Sequence, residues 1–232
     1  MLDQFKPIFK LYWLDVRFSY MIFWIILLST SLFFVGLSYY ISNGDIFIGG
    51  GIAIYIYLMI HALINVSETL PYALGMGSTR KKYMQGTIVC SVILAAVTTI
   101  LEFVYFKVFS IAILGLDYPE NIRISFFNLE GFSPTFLLGL EFGLCLFILA
   151  FFQLISILYY RYGYTPFYFL FAIFLLLIMT PLGNVGKYFF GILDNVENAM
   201  YPLLILVMIG TVLSLLFSWL VLRNSPSKPA RG

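Results

Sequence analysis

The segments Met21 to Val35 (MIFWIILLSTSLFFV) and Leu203 to Leu222 carry no charge and almost no polar side chain. Wound into helices, neither would have a face to turn toward water, so lipid must be their solvent. The chain as a whole agrees: 62% of its residues are hydrophobic, 19% aromatic and 10% charged, with a mean hydropathy of +0.98. These values lie far outside those of a water-soluble domain. With 232 residues the chain is long enough for a soluble core, but it reads as an integral membrane protein.

A hydrocarbon layer about 30 Å thick takes roughly 20 residues of helix, whose backbone groups bond within the segment. The apolar runs predict an all-α bundle of six transmembrane helices: Ser19 to Ile41, Phe47 to Val66, Thr87 to Phe106, Pro134 to Tyr160, Pro166 to Pro181 and Tyr201 to Leu222. Beyond Lys107 the sequence VFSIAILGL is still apolar, so the third helix either continues to Leu116 or breaks into a short interfacial helix. The fifth run is short, and LGNVGKYFFGIL after it suits a half-buried helix on the outer surface.

Lys and Arg accumulate on cytoplasmic flanks. With the N-terminus inside, of the 13 basic residues only Lys107, Arg123 and Lys187 fall outside, whereas Asp45, Asp117, Glu120, Glu130, Asp194 and Glu197 are all external. Both termini are therefore expected in the cytosol. The net charge of +2 follows from this asymmetry and carries no implication of nucleic-acid binding.

The chain divides into an N-terminal segment over 1–18, a transmembrane domain over 19–223 and a flexible cytosolic tail over 224–232. In the first, Phe5, Ile8, Phe9, Tyr12, Trp13 and Val16 recur at helical spacing while Lys6, Lys10 and Arg17 stay off that stripe. This predicts an amphipathic interfacial helix on the inner leaflet, the alternative being a plain extension of the first span. Pro7 suits its first turn. The first apolar run is too long for the core of a cleavable export signal. Cys90 and Cys145 fall within predicted spans and read as buried apolar thiols, so neither a disulfide nor a metal is expected.

Ionisable residues in lipid are costly and usually turn toward the bundle interior or water. Glu102 and Glu141 are the two acids within the spans. Thr87, Ser91, Ala95, Thr98 and Glu102 follow steps of three and four, and that polar face should pack inward. Glu141 lies between Gly139 and Gly143, a small-xxx-small pair that admits a neighbouring backbone. For both acids two readings stand: a translocation lining or interhelical hydrogen bond, and snorkelling to the outer headgroups. His61, the only histidine, shares a helical face with Asn65 and Glu68 and reads first as a packed, hydrogen-bonded residue and second as a proton relay. Gly210, Ser214 and Ser218 form another small seam, for a helix contact or a dimer interface.

No HExxH, GxSxG elbow or pair of intramembrane aspartates is present, and the run GMGSTRKK does not match the phosphate-loop pattern GxxxxGK[ST]. The chain is accordingly not expected to be an enzyme. The connection over 68–86, ETLPYALGMGSTRKKYMQG, has mechanical features instead. Pro71 can open a turn or short helix, Gly75 and Gly77 can end it, and Ser78 or Thr79 can cap the helix that follows. The plain alternative is a positive-inside anchor whose Arg80, Lys81 and Lys82 meet lipid phosphates.

Over Leu70 to Gly86 the chain resembles the permease subunits of bacterial ABC-2-type ATP-binding-cassette transporters, and over its whole length it resembles their topology. The resemblance implies that 68–86 contains a coupling helix docking into a separate cytosolic ATPase subunit, with Glu68, Pro71, Gly75, Gly77, Arg80 and Lys81 as contact or shaping residues. It also implies a second permease half, identical or related. ATP and Mg would be bound by the partner, and no cofactor by this chain. An aromatic, weakly polar lining favours export of an amphipathic or hydrophobic compound such as an antimicrobial peptide, drug or lipid. Two other classes stay open: a stand-alone immunity or sensor protein binding a toxin through the external loop over 107–133, and an ion-coupled carrier using Glu102, Glu141 or His61.

Overall fold

The computed structural model describes residues 6–38, 46–48, 51–114, 122–124, 133–165, 168 and 196–223. They form five long helices, α1 (Lys6–Ser38), α2 (Gly51–Gly75), α3 (Arg80–Leu114), α4 (Pro134–Tyr162) and α5 (Val196–Arg223), and two three-residue strands, β1 (Ile46–Ile48) and β2 (Ile122–Ile124). All five helices are long and apolar enough to cross a membrane. Large apolar side chains such as Phe18, Ile25, Leu32, Leu206 and Leu216 are exposed on the outside of the bundle, as a lipid solvent requires. The chain is a multi-pass membrane protein by this criterion. Apart from Tyr168, the expected fifth span, Pro166 to Pro181, lies outside the described residues, as does the tail over 224–232.

Several boundaries differ from those expected. The amphipathic segment over 1–18 is not a separate interfacial helix: from Lys6 it is the first part of α1, a single element of 33 residues, about 50 Å long at 1.5 Å per residue. No Gly or Pro stands between Ile8 and Ser19 to break it, and Pro7 occupies its first turn, where a missing N–H costs nothing. The second helix starts at Gly51 instead of Phe47, because Phe47 pairs in β1, which runs parallel to β2 with Phe47 opposite Arg123. It also runs through Pro71 to Gly75, past the expected end at Val66. The third continues unbroken to Leu114. α4 starts where Pro134 predicts, capped by Ser133, whose hydroxyl accepts from the Phe136 N–H at 3.3 Å.

α4 is the centre of the bundle and packs against α5, α2 and α3, while α1 leans on α3 and α2. The contacts fix the relative directions. Tyr20 meets Thr98 and Trp24 meets Tyr105, so α1 and α3 are parallel. Tyr55 meets Glu141 and Ser156 donates to the Leu63 carbonyl at 2.6 Å, so α2 and α4 are parallel to each other. α5 runs alongside α4 in the same direction, with Tyr201 against Phe136, Gly210 against Phe147 and Val221 against Arg161. The start of α1, the α2–α3 turn and the ends of α4 and α5 therefore share one end of the bundle. That end holds Lys10, Arg17, Arg80, Lys81, Lys82, Arg161 and Arg223, whereas the other holds Lys107 and Arg123.

Candidate functional site

The basic end is built around the α2–α3 hairpin. α2 closes in a Schellman motif: the Ser78 N–H bonds to the Ala73 carbonyl and the Gly77 N–H to the Leu74 carbonyl, both at 3.0 Å. Gly77 takes the left-handed conformation this requires, with φ of 80°. Thr79 then caps α3, its hydroxyl accepting from the Lys82 N–H at 3.3 Å and its carbonyl from the Tyr83 N–H at 2.9 Å. The expected short helix within the connection is absent, since Pro71 sits inside α2 and the whole link is the turn Met76 to Thr79. The connection is thus a two-helix hairpin with a tight tip.

The root of this hairpin is locked into the bundle. Leu70, Ala73, Tyr83 and Met84 are buried with Ile157 and Tyr160 of α4 and Leu222 of α5. Thr69 and Tyr83 join α2 to α3 through a 2.7 Å hydroxyl contact, and Asn65 supports it by accepting from Thr69 at 3.2 Å. Arg80 Nη1 donates to the Arg223 carbonyl at 3.2 Å and Arg161 Nη1 to the Val221 carbonyl at 3.1 Å, satisfying the open end of α5. Of the residues singled out in sequence, Glu68, Gly75, Gly77 and Lys81 are exposed and Pro71 is half-buried, as is Arg80, which turns to Arg223. Tyr72 and Met76, not singled out, are the large apolar side chains exposed at the tip.

The polar residues within the helices fall into two groups. His61 and Asn65 are buried but Glu68 is exposed, so the expected three-residue face divides after Asn65. His61 Nε2 lies 3.0 Å from the Tyr12 hydroxyl and its ring stacks on Tyr57. Ser91 is buried on α3, and Thr98 reaches the Tyr20 hydroxyl at 3.0 Å, binding α1 to the bundle.

Toward the other end the structure brings Glu102 and Glu141 together. Both are fully buried, at 1% and 0% exposure, and a ligand atom of each lies within 4.8 Å of the other and of Cys145 Sγ. Tyr55 of α2 donates to Glu141 Oε2 at 2.7 Å, and the Cys145 thiol, one turn beyond, faces Glu141 Oε1 at 3.4 Å. Glu102 Oε2 has no hydrogen-bond partner among the described residues. Its Oε1 lies 3.4 Å from where a side chain on Gly51 would begin, which places the start of α2 over the carboxyl. Burial this deep sets aside the snorkelling reading for both acids. Tyr55 and Cys145 were not read as partners of the acids in sequence. Cys145 was legible in principle, four residues after Glu141 on one helix face, whereas nothing local signals Tyr55, whose approach to the acids is created only by packing three helices.

The small residues divide as well. Gly143 meets Leu204 and Val207 of α5, with a side chain there starting 3.6 Å from each, whereas Gly139 is exposed with nothing near. Gly210 lies against the Phe147 ring, and Ser214 and Ser218 are buried on the same helix, so the α5 seam is a contact within the chain. No protein-family model, curated protein or solved structure matches this chain.

Proposed function

We propose that the chain is the membrane half of a transporter of the ABC-2 permease kind, driven from the cytosol by a separate ATPase that pushes on the α2–α3 hairpin. The observation that carries this reading is mechanical. A tip stiffened by a Schellman turn and a Thr79 cap presents Tyr72, Met76 and Lys81, while its root is buried against the ends of α4 and α5. A push on the tip is thereby delivered to four helices together. The basic end of the bundle supports a cytosolic tip. The parallel run of α4 and α5 supports a further crossing between Tyr162 and Val196, where the sequence expects Pro166 to Pro181, giving six spans and both termini on the cytosolic side of a bacterial membrane.

In this reading a second half, identical or related, completes a path for an amphipathic or hydrophobic compound moved outward. ATP and Mg belong to the partner ATPase, and this chain is not itself catalytic. Because Arg80 holds the end of α5, the docking contacts are assigned to Tyr72, Met76 and Lys81, with Glu68 at the flank. The test is co-purification in mild detergent of the tagged wild type and of a variant carrying Y72A, M76A and K81E. A cytosolic ATPase that follows the wild type and falls about tenfold, roughly 1.4 kcal/mol of docking energy, with the variant supports the proposal. No ATPase under conditions that preserve other transporter complexes overturns it. A second reading, the ion-coupled carrier, is favoured by the meeting of Glu102 and Glu141.

A further inference from the structure

We infer that Glu102, Glu141 and Cys145 form a binding site for a divalent cation of the zinc class near the outer end of the bundle. The proposal rests on neither functional reading above, and it departs from the expectation of a metal-free chain, which treated the thiol and the two acids separately.

Three donors of the right kind converge. Glu102 comes from α3, and Glu141 and Cys145 from successive turns of α4, with their ligand atoms within 4.8 Å of one another and the residues at most 1% exposed. Zinc bonds of about 2.0–2.3 Å hold neighbouring ligand atoms roughly 3.3–3.8 Å apart, so side-chain adjustments of about 1 Å close the set. A sulfur beside two carboxylates suits a borderline metal and disfavours Mg and Ca, which take oxygen alone.

The surroundings point to a ligand independently of the cluster. Glu102 Oε2 is buried without a hydrogen-bond partner among the described residues, a costly state that a bound cation relieves. Tyr55, donating to Glu141 Oε2 at 2.7 Å, fixes that carboxyl as second-layer hydrogen bonds fix metal ligands. Two carboxylates balance a dication, and the thiolate formed on binding is offset by the positive N-terminal pole of α2, whose Gly51 lies over Glu102. Metal entry displaces the Cys145 proton and the proton that two buried carboxyls this close must share; both leave to the outer water, and no oxidation or reduction is involved. Glu102 lies about 33 Å along α3 from Arg80 and Glu141 about 10 Å from the outer start of α4, so the outer side is the near entrance. Three protein ligands leave a fourth position open, the arrangement of a site that exchanges its ligand.

The probe is cobalt(II), which reports sulfur ligation through its thiolate charge-transfer absorption. The purified full-length protein, stripped of metal and titrated with cobalt, should bind about one ion per chain with that absorption, and zinc should displace it. C145S should abolish the band, E102Q should weaken binding at least tenfold, and D15N, a change at an exposed acid of α1, should leave both unchanged. C145S is nearly isosteric, so loss of the band there with an unchanged elution profile reads ligation and not misfolding. A monodisperse wild type that binds no cobalt overturns the proposal, as does binding indifferent to C145S and E102Q. So does an infrared carboxylic-acid band in metal-free wild type that survives zinc addition and is lost in E102Q, which would make a proton the resident ion. Failure here leaves ATPase co-purification untouched, so the two proposals fall separately.

Discussion

Thr69 of α2 and Tyr83 of α3 place their hydroxyls 2.7 Å apart, tying together the two helices whose turn forms the exposed tip. Both residues are buried, so the bond is sheltered from solvent, and it lies just below the tip that a partner would move. A double-mutant cycle with T69V and Y83F should return a coupling of about 0.6 kcal/mol, the average for interhelical hydrogen bonds in membranes. Thermal unfolding of the detergent-solubilised protein measures it. Strict additivity of the two changes would mean that the contact contributes nothing to holding the hairpin.

The two glycines of the tip should respond in opposite directions. Gly77 stands at φ of 80° and Gly75 within the last turn of α2, each with open space where a side chain would go. G77A forces an L-residue into the left-handed region at a cost of about 1–2 kcal/mol, whereas G75A reduces the freedom of the unfolded chain and gains about 0.5–1 kcal/mol. Melting midpoints of the two variants, compared with wild type, should fall on opposite sides of it.

That contrast marks how far local sequence carries. Gly77 and Thr79 are legible because turn and cap chemistry is decided by a few adjacent residues, and so is the start of α4 at Pro134 behind Ser133. The start of α2 is not, since Phe47 is drawn into pairing with β2, a partner distant in the chain. Nor is the continuity of α1: amphipathic spacing over Phe5 to Val16 is the same whether the helix lies on a membrane or leads straight into it. The meeting of Glu102, Glu141, Tyr55 and Cys145 depends on the rotation of three helices about their axes, which hydropathy does not encode. Glu68 fails its expected place on the buried face of His61 and Asn65 because the buried stripe of α2 continues through Val66, Thr69, Leu70 and Ala73, which leaves Glu68 outside it.

The α4–α5 contact should be sensitive at one glycine and tolerant at the other. A side chain on Gly210 would begin 2.8 Å from Phe147 Cε2, while one on Gly143 would make ordinary contact with Leu204 and Val207 at 3.6 Å. G210A should destabilise by about 1–3 kcal/mol through overpacking, F147L should recover most of the loss, and G143A should change the midpoint little. Equal effects of G210A and G143A would contradict this packing.

Removing the arginines that close the end of α5 should fray it. R161A removes the Arg161 donor from the Val221 carbonyl and R80A the Arg80 donor from the Arg223 carbonyl. Each loses a charge-assisted hydrogen bond of about 1.5–3 kcal/mol at most, and hydrogen exchange over residues 218–223 should accelerate at least fivefold. Exchange unchanged in the double variant would show that the helix end is held by Leu222 packing alone.

The most direct test of the permease account is photo-crosslinking in intact membranes from a reactive residue placed at Met76, with a matched probe at the lipid-facing Phe18 as control. The account predicts a protein adduct at position 76, absent from position 18, whose partner is a cytosolic ATP-binding subunit. Crosslinks to lipid alone from position 76, in cells where the protein is correctly inserted, would contradict it.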